Sequence, residues 1–245
     1  MYRFFAPSIT AGDEIVTLPR DEAEHLTRVL RLTIGDTVSV FDGRGRECLA
    51  RVISTEGREV RVQVLSPIEP AAEPAVSLTL VQAVLKGEKM DDVVRDAVML
   101  GAFAIQPIVT RRTETSVAAL LTGARPDRWR RIALAAVKQS RRAVLPEIRS
   151  PLSFEDLLDA PPALRLMLVE PTVSTDVEPM SALAESPRPA AVAVLVGPEG
   201  GWTEEECTAA RGRGARLMTL GHRTLRADAV PVAAISVLQY LWKDL

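Results

Sequence analysis

Two apolar runs in the last third of the chain, Ala190–Val196 and Ala215–Leu220, each break off into glycine. The first leads into Gly197-Pro-Glu-Gly-Gly201, the second into Gly221-His-Arg-Thr-Leu-Arg226 and then a helical pattern. A short apolar run bounded by turn residues, without polar alternation, is the pattern of a strand covered on both faces. Strands of that kind belong to a parallel sheet flanked by helices, which sets the fold class as α/β. Ligands of open α/β sheets lie at the carboxyl ends of the strands. Two glycine loops at two strand ends therefore mark a candidate small-molecule site, with Arg226 at its edge.

The loop chemistry narrows the ligand. Glycine lets backbone approach a ligand closely, and Pro198 stiffens the turn. No Gly-Lys-Ser/Thr follows, and Gly-x-Gly-x-x-Gly is absent, so neither nucleotide-phosphate fingerprint is present. Glu199 is followed by Glu204, Glu205 and Glu206, which would repel a polyphosphate and suit a neutral or cationic ligand. The plainer alternative is a tight turn closing a core strand, with Thr203-x-x-Glu206 as the capping box of the next helix. The second glycine loop favours a ligand site.

Earlier in the chain, Thr37–Phe41 alternates as a strand into the turn Asp42-Gly-Arg-Gly45, and Glu47–Ser54 and Glu59–Leu65 read as two more strands. Asp21-x-x-Glu24 predicts a capping box for a short helix. Residues 1–70 thus form a small β-barrel unit. Three prolines between Ser66 and Pro74 mark a linker. From 75 to 245 strands alternate with helices: strands at 76–81, 103–109 and 164–169, and helices at 90–100, 128–142 and 228–242 with Pro231 in the first turn.

The net charge is −2, but Thr110–Arg149 holds ten Lys or Arg against three Asp or Glu. That imbalance is the electrostatic footprint of nucleic-acid binding, and arginine favours forked phosphate recognition. Arg131, Lys138 and Arg142 share one face of the predicted 128–142 helix, and Arg112 lies in the same basic run. Two distant cysteines, Cys48 and Cys207, exclude a disulfide framework and suit a cytoplasmic protein. No apolar run is long enough to span a bilayer, and none reads as a signal peptide. His25 and His222 lack companion ligands, so no metal is expected. A serine-hydrolase elbow is absent, and Cys207 follows three glutamates that disfavour a thiolate. Group transfer from an activated cationic donor remains.

These residues resemble the RsmE family, the S-adenosyl-L-methionine-dependent 16S ribosomal RNA uridine N3-methyltransferases of the knotted SPOUT class. The likeness is carried by Leu195-Val-Gly-Pro-Glu-Gly-Gly201 and Leu220-Gly-His-Arg-Thr-Leu-Arg226. It extends to His25-Leu-Thr-Arg-Val-Leu-Arg31, Phe41-Asp-Gly-Arg-Gly45, Leu85-Lys-Gly-Glu-Lys-Met90, Ile105-Gln-Pro-Ile108 and Gln139-Ser-Arg-Arg142. Asp96-Ala-Val-Met-Leu-Gly101 stands where the family usually shows Lys-Ala-Thr-Glu-Leu-Gly, and Ala227-Asp-Ala-Val230 replaces Thr-Glu-Thr-Ala.

The resemblance implies a PUA-like RNA-binding barrel at 1–70 and a trefoil-knotted SPOUT methyltransferase domain at 75–245, acting as a homodimer on 16S ribosomal RNA or the small ribosomal subunit. Backbone at Gly197, Gly200 and Gly221 would bind adenine and ribose. Leu195, Leu220 and Leu225 would pack the adenine, and Glu199 or Glu170 would favour the sulfonium. Arg226 and Arg142 are the candidates for stabilising the uracil anion, since a guanidinium suits charge spread over two carbonyl oxygens. Arg28, Arg31, Arg112, Arg131, Lys138 and Arg142 are the candidate RNA contacts. Asp228 reads as the N-cap of the last helix. The rivals are a SPOUT enzyme with another RNA target and an RNA-binding assembly factor that has lost catalysis.

Overall fold

Short strands with turn residues at their ends set the first part of the computed structural model, which describes residues 1–57, 59–159, 164–171 and 177–244. Five strands, β1 (Arg3–Phe5), β2 (Ile15–Thr17), β3 (Thr37–Phe41), β4 (Glu47–Ser54) and β5 (Arg61–Ile68), form one sheet in the order β1-β3-β4-β5-β2. Only the β1–β3 pair is parallel. Among the described residues no pairing joins β1 to β2, and the five strands make up the small curled β unit expected of residues 1–70. Phe4, Val16, Leu26, Val38, Val52 and Val62 are buried together as its core. The β3–β4 turn is held by Asp42, whose Oδ1 accepts from the N–H groups of Arg44 at 2.7 Å and Arg46 at 3.0 Å.

Two local expectations fail here. The short helix α1 (Arg20–Glu24) has Pro19 as its N-cap and no side-chain cap, so Asp21-x-x-Glu24 forms no capping box. Asp21 and Glu22 lie in the first turn, where the helix dipole favours negative charge. A wider turn, His25–Val29, continues it, and Arg31 follows at φ 55°. The linker also starts later than the prolines suggest. Strand β5 runs through Pro67 because the β4–β5 register shifts between Leu49 and Ala50, and a bulged ladder tolerates the missing N–H.

Residues 74–136 and 146–245 form a second compact unit, while 137–145 cluster with residues 1–73. Its strands are β6 (Ser77–Ala83), β7 (Ala104–Val109), β8 (Glu147–Ile148), β9 (Leu152–Ser153), β10 (Leu164–Leu168), β11 (Glu178–Pro179), β12 (Ala191–Val196) and β13 (Arg216–Thr219). Its helices are α2 (Lys89–Met99), α3 (Val117–Thr122), α4 (Arg125–Ser140), α5 (Phe154–Asp159), α6 (Glu204–Gly212) and α7 (Val230–Trp242), with the last turn of α4 in the first unit. The sheet order is β11-β13-β10-β12-β6-β7-β8, with β9 also on β7, and every described pair is parallel. Val81, Ile108, Phe154, Met167, Leu195 and Leu217 belong to the core beneath it. Pro107 sits inside β7 without harm, because β8 pairs Ala104 and Ile105 while β9 pairs Ile108 and Val109. The absent N–H falls in the gap between them, and Gln106 Nε2 spans it to the Ser150 carbonyl at 2.8 Å. No described helix is long and apolar enough to cross a membrane.

The basic helix is shorter than its pattern suggests. It stops at Ser140, Arg141 takes φ 62°, and Arg142 lies off the helix, so Arg131, Lys138 and Arg142 do not share one helix face. Arg3 closes the end: Nη1 donates to the carbonyls of Val137 at 2.9 Å and Lys138 at 3.0 Å, and Nη2 to that of Arg142 at 2.8 Å. Unsatisfied C-terminal carbonyls and the negative end of the dipole both call for such a cation. Lys138 pairs with Glu22, and the nearly buried Arg142 pairs with Glu73 through Nε and Nη2. Arg142 thus has a structural contact, and its side chain is engaged with Glu73. Arg142→Ala is expected to cost about 1.5–3 kcal/mol, the range for hydrogen bonds to charged groups. Urea denaturation would read this as a lower midpoint, and an unchanged midpoint would mean that this contact does not hold the fold.

Candidate active site

Three strand ends supply the walls of one cavity of about 220 Å³. Leu168, Val169, Glu170 and Pro171 come from the end of β10, Val196 to Trp202 from the end of β12, and Thr219, Leu220, Arg223, Thr224 and Leu225 from the end of β13. Ala227 and Val230, leading into α7, and Arg112, just beyond β7, complete it. The strand order places β10 between β12 and β13, which brings the three loops side by side. Both glycine loops predicted from sequence thus converge on one site at the carboxyl edge of the sheet.

Each predicted residue has a definite position. Gly197, Glu199, Gly200, Leu220, Leu225 and Glu170 line the cavity. Leu195 does not: it is fully buried in the core, and its neighbour Val196 reaches the wall instead, because side chains alternate along a strand. Gly221 is not a lining residue but turns the chain at φ 125°, which only glycine adopts readily. The Thr219 hydroxyl donates to the Gly221 carbonyl at 2.9 Å and pins that turn. Arg226 lies between two lining residues, with its own side chain 75% exposed and paired to Asp228 through Nε at 3.1 Å and Nη2 at 3.2 Å. Asp228 is consequently not a cap. Helix α7 begins at Val230 with Ala229 as N-cap and no side-chain bond.

The glutamates of the loop are largely spoken for. Glu199 Oε1 accepts from Lys89 Nζ at 2.8 Å and from the Lys86 N–H at 3.2 Å. Burial opposes its ionisation, but these bonds and a bond to its own N–H outweigh that and hold its carboxyl below the usual range. Glu206 is buried and completes the capping box with Thr203 at the start of α6. Burial, more than the neighbouring glutamates, pushes the Cys207 thiol up. Glu170 is exposed on the cavity wall and is left as the carboxylate open to a cationic ligand.

Sequence reasoning missed Trp202, Arg223 and Thr219. Trp202 is buried under the glycine loop: a Cβ on Gly197 would lie 3.1 Å from its indole, and Nε1 donates to the Leu168 carbonyl at 2.9 Å. The indole therefore fastens the β12 loop to the end of β10. Its sequence signal was a tryptophan directly after Gly200-Gly201. Trp202→Phe is expected to cost about 1–3 kcal/mol by orphaning a buried carbonyl. A lower urea midpoint at unchanged slope would show it, whereas an unaltered midpoint would mean that the bond does not hold the two loops together.

The RNA candidates are dispersed. Arg28 and Arg31 are exposed in the first unit. Arg131 is exposed on α4, with Nε 3.4 Å from the Asp127 carbonyl. Arg112 lines the cavity, and Lys138 is tied to Glu22. Arg128 pairs with Glu88 and Asp91, so carboxylates from elsewhere in the chain offset much of the basic run. Among the described residues no group of three or more His, Cys, Asp or Glu side chains is placed to hold a metal ion.

Comparison with known proteins is consistent across the chain. Residues 72–239 match the model of an RNA methyltransferase domain, and residues 18–65 that of an RNA methyltransferase PUA domain. A ribosomal RNA small subunit methyltransferase E of Synechocystis is 33% identical over 247 residues, covering 98% of this chain and 78% of that protein. The protein of the same name from Aquifex aeolicus is 29% identical, covering 91% of this chain and 93% of its own. The crystal structure of a ribosomal RNA small subunit methyltransferase E from Neisseria gonorrhoeae, bound to S-adenosyl methionine, superposes with a TM-score of 0.87 at 31% identity, covering 99% and 98% of the two chains.

Proposed function

We infer what the cavity does from one premise: this chain belongs to the RNA methyltransferase family, whose domain model spans residues 72–239. The protein is an S-adenosyl-L-methionine-dependent methyltransferase acting on ribosomal RNA of the small subunit. The observation that carries this is the cavity itself, where glycine backbone from the β12 loop meets apolar walls and one open carboxylate. The residues fit the cofactor. Gly197 and Gly200 are tightly placed, since a Cβ would crowd Trp202 at 3.1 Å or Arg112 at 3.3 Å, and the loop lines the cavity with peptide groups. Val196, Leu220, Leu225 and Val230 offer apolar surface for an adenine, and Glu170 offers charge for a sulfonium or ammonium. When bound, S-adenosyl-L-methionine supplies a methyl group activated by positive sulfur.

The acceptor on this reading is N3 of a uridine. That nitrogen must lose its proton, and the charge then spreads over two carbonyl oxygens. Arg226 is the guanidinium we assign to that charge. Its pair with Asp228 is exposed, and exposed pairs contribute little, so a substrate oxygen can take over the contact at small cost. Arg28, Arg31 and Arg131 remain exposed to contact the RNA backbone. The protein acts in the cytoplasm as a homodimer; exposed Met99, Phe103 and Tyr240, on or next to α2 and α7, support an apolar interface, and a monomer in sedimentation would count against it. The trefoil knot belongs to the same proposal, supported by the order β13-β10-β12, in which the earliest strand lies between the two later ones. The deciding experiment is to map methylated uridines in small-subunit ribosomal RNA with and without the protein. Unchanged modification would overturn the assignment.

A further inference from the structure

The segment following β7 is riveted to the glycine loop from two sides. Glu206 Oε1 accepts the Arg111 N–H at 2.9 Å, while Oε2 accepts the Thr203 N–H at 2.9 Å. This carboxylate is only 3% exposed. Arg112, the next residue, donates from Nη1 to the Gly200 carbonyl at 2.6 Å, and its aliphatic stem packs at the distance where a Gly200 Cβ would begin to crowd it. On the opposite side, Glu199 accepts from Lys86 and Lys89 beyond β6. The loop is therefore clamped by the ends of two other strands, and Glu199 and Glu206 of its acidic run serve contacts within the chain.

We propose that Arg112 is a positioning residue for the cofactor loop, set in place by Glu206, and not a phosphate contact for RNA. The inference rests on the cavity being the S-adenosyl-L-methionine site. Only a carboxylate suits position 206, since both oxygens accept from backbone N–H groups, and an amide would turn its own donors against one of them. A guanidinium held on a carbonyl shapes the peptide groups that line the cavity. The Nη1 donor of this exposed side chain is thereby committed to the loop.

The test uses the full-length protein and the variants Arg112→Ala, Arg112→Lys and Glu206→Gln. Amide hydrogen exchange of residues 197–203 is measured without ligand, cofactor affinity by calorimetry, and affinity for a small-subunit ribosomal RNA fragment across a salt series. Arg112→Ala is expected to speed loop exchange and weaken S-adenosyl-L-methionine about tenfold, the size of one charge-assisted hydrogen bond. Its RNA salt slope should equal the parent's. Arg112→Lys should recover part of the cofactor affinity, because an ammonium can still reach the carbonyl. Glu206→Gln should reproduce the faster exchange. A salt slope lower by about one in Arg112→Ala is the signature of a lost phosphate contact and would overturn the proposal. Unchanged loop exchange would overturn it equally. A parent protein that fails to bind S-adenosyl-L-methionine would instead bring down the functional reading, with loop exchange still testing the clamp.

Discussion

Gly197→Val is expected to remove most of the affinity for S-adenosyl-L-methionine while the protein stays folded. A Cβ at this position lies 3.1 Å from the buried Trp202 indole, and Trp202 is hydrogen-bonded to Leu168, itself a wall of the cavity. The valine, whose methyls add to the crowding Cβ, must shift the indole and strain that bond, or displace the loop and move the peptide groups it presents. Overpacking of this kind typically costs about 1–3 kcal/mol, and a broken buried hydrogen bond adds a similar amount. If the strain is felt at the cavity, affinity falls on the order of a hundredfold. Calorimetry gives the affinity, and a circular dichroism melt confirms the fold. A folded variant that binds within about twofold of the parent, well under 1 kcal/mol, would place the cofactor elsewhere.

Arg226→Ala is expected to depress turnover by about a hundredfold to a thousandfold, the usual cost of losing a donor aimed at developing charge. Cofactor affinity should hardly move, because the Arg226 side chain is not part of the cavity wall. Arg226→Lys should rescue only in part, since a point charge cannot reproduce a planar fork. The deficit should narrow as pH rises, because more uracil is then already deprotonated. Asp228 does not confuse that profile. In the parent protein burial opposes its ionisation, yet its own backbone N–H and the Arg226 guanidinium outweigh it and hold its carboxyl below the usual range, and the backbone N–H and the charge of Lys89 remain in the variant. A depressed carboxyl is ionised throughout neutral and alkaline assays and gains a proton only as pH falls through that lowered value. Normal turnover with weakened RNA binding would show that Arg226 merely holds the substrate.

Much of this was legible because apolar patterning and turn residues speak locally. Strands β3 and β4 lie where alternation put them, and the capping box of α6 was written in Thr203 and Glu206. Strands β8, β9 and β11 have two residues each, too few to display a period. The site residues that escaped notice did so because their meaning is tertiary. Nothing near Trp202 in sequence says that it packs on Gly197 and bonds to Leu168. Counting charges between Thr110 and Arg149 overstated the basic surface, since Glu22, Glu73, Glu88 and Asp91 lie well outside the window and neutralise Lys138, Arg142 and Arg128. A left-handed Arg141 then took Arg142 off the helix on which periodicity had placed it.

The central ladder of the parallel sheet joins residues far apart in time as well as in sequence. Strand β6 pairs Ser77 with Ala191 and Gln82 with Val196, so its inner edge stays open while the intervening chain is synthesised. Pairings of such long separation are slow to form, and exposed strand edges invite association with other chains in the interval. All three loops of the cavity come after β10, so the ligand site is among the last parts of the protein to exist. Nascent chains stalled before Ala191 should therefore have a protease-sensitive β6 and no capacity to bind S-adenosyl-L-methionine. Protection of β6 should follow the release of β12, and cofactor binding should follow only once the β13 loop and the start of α7 are free.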